Sequence, residues 1–190
     1  MKALIKFRHS KSQAFYDYWC QLPKTGVLPE KKHLKPEQIP NLLATMIVYE
    51  LVSHDLIRIR LMGSTVEERF GGRRTGTNYL DMVEDHRKFS ASAALWAQVE
   101  NSCGMYALLE QELVSGRLAY IEALGLPVSN DEGKYPVLFF QSNEVHKDND
   151  EPREKSQQDL VNDDDSLLKY IRVVERSYFD LGMGIPELRD

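Results

Sequence analysis

From Ile57 to Asp81 the chain reads IRIRLMGSTVEERFGGRRTGTNYLD, and this stretch constrains the fold more than any other. Ile57, Ile59 and Leu61 alternate with Arg58 and Arg60, so a strand carries one apolar face and one basic face. The strand stops at Gly63. Residues 65–70 follow as a short helix, with Thr65 as its N-cap. Gly71, Gly72 and Gly76 then mark tight turns at positive φ, where glycine meets no steric penalty.

The same reading extends outward. Residues 45–52, TMIVYELV, pair through Ser53-His54-Asp55 with residues 56–62, a hairpin pattern. Upstream, SKSQAFYDYWCQL forms a helix capped by Ser10 or Ser12, with Phe15, Tyr18, Trp19 and Leu22 on one face and Pro23 ending it. A connection with Pro29, Pro36 and Pro40 leads on to the hairpin. Residues 85–101 read as the longest internal helix, its stripe formed by Phe89, Ala93, Trp96 and Val99/Glu100, with Gly104 after its end. Three further strands are expected at 105–114, 117–128 and 135–145. In the second of these Leu118, Tyr120, Leu124 and Leu126 fall on one side.

Residues 146–165 are charged and almost free of apolar side chains, which reads as a solvated linker. Residues 166–181 read as an amphipathic helix with Leu167, Ile171, Val174, Tyr178 and Leu181 as its stripe. The chain thus divides into an N-terminal helix and loop (1–40), a central domain (41–145), a linker (146–165) and a C-terminal helix (166–190). Charge follows this division: residues 146–190 hold 7 Lys/Arg against 12 Asp/Glu, and the rest balances at 17 each. No basic stripe marks a nucleic-acid surface, so no nucleic-acid partner is expected. No apolar run nears the roughly 18 residues of a membrane span, and no membrane partner is expected. No secretory signal is read at the N-terminus. Cys20 and Cys103, far apart, fit free thiols in a reducing cytoplasm.

Taken in order, several motifs resemble those of a bacterial family of PAS-like proteins, the PAS_5 group. They are Tyr18-Trp19, then Pro36-Glu37-Gln38-Ile39-Pro40-Asn41-Leu42-Leu43, then Arg58-Ile59-Arg60-Leu61-Met62-Gly63. Phe70-Gly71, Thr75-Gly76, Leu126–Ser129 and Glu132-Gly133 complete the series, which covers roughly residues 14–145. The resemblance implies an α+β PAS-like fold: a five-stranded antiparallel sheet with helices on one face enclosing a small cavity. An N-terminal helix and a C-terminal amphipathic helix are added to it. It implies no particular ligand, and the cofactor is left unknown.

Residues that could carry chemistry have bland readings beside the sharp ones. The glycines lack the Lys-Ser/Thr of a phosphate loop. A flavin adduct needs a cysteine beside the Asn78 loop, where Tyr79 stands. His86 is the one candidate haem ligand, and reads as a solvent-facing first-turn residue. The other histidines show no metal spacing. Glu110 and Glu112 share a strand face and could act as acid and base, but fit a solvated face neutralised by Arg117. Arg58 and Arg60 either pair with carboxylates beside the Trp19 helix or, in another register, hold an acidic ligand.

The expectation is therefore a non-enzymatic sensor with no catalytic or metal-binding residue. A small molecule would bind among Tyr49, Ile57, Ile59, Phe70, Trp96, Tyr120 and Phe139. Signal would leave through the terminal helices, by homodimerisation or by docking on a signalling partner. The alternative is a constitutive interaction module with a filled core; a small enzyme is the third reading. A cavity of roughly a few hundred Å3 would separate the first from the second.

Overall fold

The alternation around residue 50 becomes a hairpin of β1 (Met46–Ser53) and β2 (Leu56–Met62), paired from Ile47 opposite Met62 to Ser53 opposite Leu56 with register shifts after Val48 and after Leu51. The computed structural model describes residues 5–130, 133–146 and 171–185. Three α-helices are described, α1 (Ser10–Gln21), α2 (Ser64–Arg69) and α3 (Asp85–Glu100), beside four short 3-10 turns. The remaining strands are β3 (Cys103–Glu112), β4 (Leu118–Val128), β5 (Val137–Val145) and β6 (Ile171–Asp180). All pair antiparallel, in the order β2-β1-β5-β4-β3-β6. The α+β fold is as expected, with six strands rather than five.

The sixth strand corrects the C-terminal helix. Ile171–Asp180 pairs with β3 from Cys103 opposite Asp180 to Gln111 opposite Ile171. Its sequence, IRVVERSYFD, is rich in β-branched and aromatic side chains, which suit an extended backbone. Without it β3 would offer an open row of N–H and C=O groups. Leu167 and most of the expected linker lie outside the described residues.

Two apolar layers result, one on each face of the sheet. On the first face, α1 sets Phe15 and Trp19 against Met46, Val48, Leu124, Leu126 and Phe139. The Trp19 indole N–H donates to the Pro127 carbonyl at 3.0 Å. Pro127 lies beyond Gly125, where pairing of β4 with β3 ends, so its missing N–H costs no bond to β3. On the second face, α2 and α3 cover Ile47, Tyr49, Ile57, Ile59, Ala107, Ala123 and Phe140.

Local details differ from expectation. His9, not Ser10 or Ser12, caps α1: its Nδ1 accepts from the Lys11 N–H at 3.1 Å. Ser12 is buried and accepts from Asn143 Nδ2 at 3.1 Å. The stripe of α3 is also rotated. Ser92, Ala94, Leu95, Ala97 and Gln98 are buried, whereas Phe89 is 86% exposed. Ser102, at φ 48°, and not Gly104, supplies the left-handed residue after α3.

The turn glycines behave as read: Gly71, Gly72 and Gly76 have φ of 73°, 140° and 94°. They let residues 76–80 run back along β2. Gly76 N–H donates to Ile59 O, and Ile59 N–H donates to Thr77 O. Asn78 Oδ1 then accepts from the amides of Ile57 (3.0 Å) and Leu80 (3.2 Å). This fastens the stretch between α2 and α3 to the hairpin and builds one wall over the second face.

Candidate functional site

The second face of the sheet is not packed solid. Ala107 and Ala123 are directly opposed on β3 and β4, with Ser142 beyond Ala123 on β5 and Arg176 beyond Ala107 on β6. The centre of this cross-strand row is therefore two methyl groups. Above it α3 presents Ala91 and Ala94, again small. Small side chains from both layers leave a cavity of about 110 Å3. Tyr49, Tyr79, Phe70 and Phe140 supply aromatic surface around it, and Met82, Leu95, Met105, Leu109 and Ile121 supply aliphatic surface.

The aromatic wall is ordered by ring packing. The Tyr49 ring lies 5.1 Å from Tyr79 and 5.4 Å from Phe140, centroid to centroid, tilted to the first and edge-on to the second. Burial raises the pKa of both tyrosines, so their hydroxyls are neutral at physiological pH. Beside the cavity, Arg69 is buried and donates from Nη2 to Ser142 O (2.8 Å) and Ser142 Oγ (2.9 Å). Burial lowers its pKa to about 10, which still leaves it charged at neutral pH. At the rim, Glu84 lies 3.9 Å from Arg87 and 3.8 Å from His86.

Of the seven residues expected to line a pocket, the cavity brings together Tyr49 and Phe70. Ile57 and Ile59 sit fully buried in the same apolar layer but outside the lining. Trp96 is further out, its ring 4.8 Å from His54 and its N–H donating to Ser53 O at 3.4 Å. Tyr120 and Phe139 lie on the opposite face. Tyr120 donates to Glu110 Oε2 at 3.0 Å, and Phe139 packs in the α1 layer. Their neighbours Ile121 and Phe140 line the cavity instead. The period of alternation was read correctly and its sign was not, because both faces of these strands are covered.

The charged residues also fall into place. Arg58 and Arg60 both bind Glu50, at 2.8 and 3.2 Å, and stay outside the cavity. Arg172 pairs with Glu110 at 3.2 Å, while Arg117 reaches Glu144 at 2.6 Å instead of Glu110 or Glu112. His86 is solvent-facing, with 78% of its side chain exposed. Among the described residues, no group of three or more His, Cys, Asp or Glu is gathered as a metal site. No helix there is long and apolar enough to cross a membrane. Cys103 is buried, which raises its thiol to about 11, and Cys20 is exposed. Among the lining residues that sequence reasoning missed are Ala107, Ala123 and Arg176. A pair of small residues opposite one another on neighbouring strands was the available signal.

The sequence pattern of the PAS_5 family, described as PAS domain, matches residues 7–139. Comparison with curated proteins gave no match. Among solved structures, the chain is similar to an RNA-binding light-oxygen-voltage receptor, with TM-score 0.44 and 16% identity over 65% of this chain and 36% of that one. It is similar to a VqmA–ligand–DNA complex from Vibrio cholerae, with TM-score 0.41 and 15% identity over 60% and 52% of the two chains. The PAS domain of Bordetella pertussis BvgS follows, with TM-score 0.39 and 13% identity over 59% and 87%. The chain thus spans about a third and a half of the first two structures. At these scores the likeness bears on no ligand or partner.

Proposed function

The chain belongs to the PAS_5 family of PAS domains, and on that premise we propose that it is a sensory or regulatory module that binds a small molecule in the cavity above the sheet. The hollow between Ala107, Ala123 and α3 carries this reading. A core selected for stability alone gains about 0.8 kcal/mol for each methylene that fills such a space. At about 110 Å3 the cavity is smaller than the few hundred expected. It suits a ligand near the size of a single ring. The domain binds and does not catalyse in this reading, and it works in the cytoplasm, which its two free thiols fit.

Output passes through β6 rather than through a C-terminal helix. Ile171, Val173 and Arg176 of this strand line the cavity, so occupancy acts directly on an edge of the sheet. A ligand that favours one placement of β6 shifts the population toward it, and a second copy or a partner protein reads the change. The apolar stripe of α1 is already covered by the sheet, so dimerisation does not need that stripe.

Native mass spectrometry of the freshly purified chain tests the reading. A bound small molecule is expected, and Ala123→Leu, which extends a side chain into the hollow, should lose it while keeping the native circular dichroism spectrum. An equal bound mass in the filled variant would move the site elsewhere. A protein that takes up no small molecule would favour the constitutive interaction module.

A further inference from the structure

The cavity has a polarity that its apolar walls conceal. Two lining residues hold a buried nitrogen with no hydrogen-bond partner among the described residues: Gln111 through Nε2 and Arg176 through Nε. Gln111 is 2% exposed, so water does not serve its amide freely. Both atoms are N–H donors. Arg69, anchored on Ser142 at the far end of the alanine row, leaves Nε and Nη1 in the same condition. No buried acceptor among the lining residues is similarly unpartnered.

Leaving a donor buried without an acceptor costs about 1–3 kcal/mol, more for a charged group. Natural cores avoid this, and the exceptions concentrate where something else supplies the partner. The charge balance points the same way. The charged lining residues are Arg87, Arg176 and Glu84, and Glu84 is within ion-pair distance of Arg87. No ion pair engages Arg176 among the described residues. The Tyr79 hydroxyl stays neutral at physiological pH and adds no negative charge.

Resting on the sensory reading above, we propose that the ligand is a small organic carboxylate with an apolar or aromatic body, its oxygens facing Arg176, which lies beside Ala107. The planar guanidinium and a carboxylate match in geometry. The body lies on the Ala107–Ala123 floor against Tyr49 and Phe140. Arg69 adds positive potential from behind Ser142. A neutral ring of the same shape satisfies the walls but leaves the donors unanswered, and a cation meets like charge.

Benzoate, benzamide and benzylamine form a matched probe set for the full chain, read by NMR titration and by thermal shift. Benzoate is expected to bind at least about tenfold more tightly than the other two. Arg176→Met and Arg176→Gln, both uncharged and not larger than the native residue, should each remove that preference. Arg176→Gln, which keeps a polar end, carries the test alone should Arg176→Met fail to fold. Equal binding of benzamide and benzoate would overturn the carboxylate inference and leave the small-molecule pocket standing. Preference for benzoate persisting in both variants would overturn it as well, by placing the anion elsewhere. No binding by any probe at millimolar concentration would overturn both the inference and the pocket.

Discussion

Gly104 shows what a single residue owes to its surroundings. A Cβ built there would lie 2.2 Å from the Phe179 ring of β6. Gly63 is similar, with Leu43 O at 2.2 Å from such a carbon. Neither glycine is required by positive φ, unlike Gly71, Gly72 and Gly76. Turn glycines are legible because the backbone demand is local, whereas a close approach by a distant segment leaves no local trace. Gly104→Ala is therefore expected to destabilise the fold by about 1–3 kcal/mol through overpacking. Denaturant unfolding would measure it, and adding Phe179→Ala to the same chain should reduce the further cost of the alanine. Strict additivity of the two changes would show that the ring is not the cause.

At the level of elements, α1 depends on a titratable cap. Burial lowers the His9 pKa below its usual 6.5, with Glu122 opposing and Lys11 assisting. The Nδ1 lone pair that caps the Lys11 amide exists only in the neutral ring. A depressed folded value means the contribution is complete above about pH 6.5 and is lost as pH falls through the folded value. Thermal melts across that window should show a step that His9→Asn abolishes, since asparagine caps without titrating. His9→Ala should cost about 0.5–2 kcal/mol at neutral pH. A step unchanged in His9→Asn would assign it to another group. Helix α3 teaches a different lesson: the aromatic Phe89 faces out, while Ser92, Ala94 and Ala97 are buried. Bulk hydrophobicity named the wrong stripe because the cavity required the small one.

At the level of the whole molecule, β6 covers the edge of β3 and one side of the cavity at once. Phe179 is buried against the α1 layer, and Arg176 and Val173 lie over the other face. One strand thus joins both layers across a long sequence gap. A chain ending at residue 146 should expose the β3 edge and self-associate, visible by size-exclusion chromatography. Phe179→Ala in the full chain should cost about 3–5 kcal/mol, the range for removing a buried aromatic side chain. A truncated chain that stays monomeric with an unchanged melting temperature would show β6 to be dispensable.

The positions of β1 to β5, the hairpin, the turn glycines and the PAS-like order of elements are readable from residues alone, since period and steric demand act over a few neighbours. The face of each strand is not. α1 covers one side of the sheet and α3 the other, so inward and outward side chains are both apolar and alternation loses its sign. That is why Tyr120 and Phe139 were chosen where Ile121 and Phe140 line the hollow. The helical reading of residues 171–180 fails for a related reason: their apolar spacing fits a helical stripe as well as the strand they form. The edge of β3 settled it: its backbone groups found partners in residues 171–180, which extend alongside.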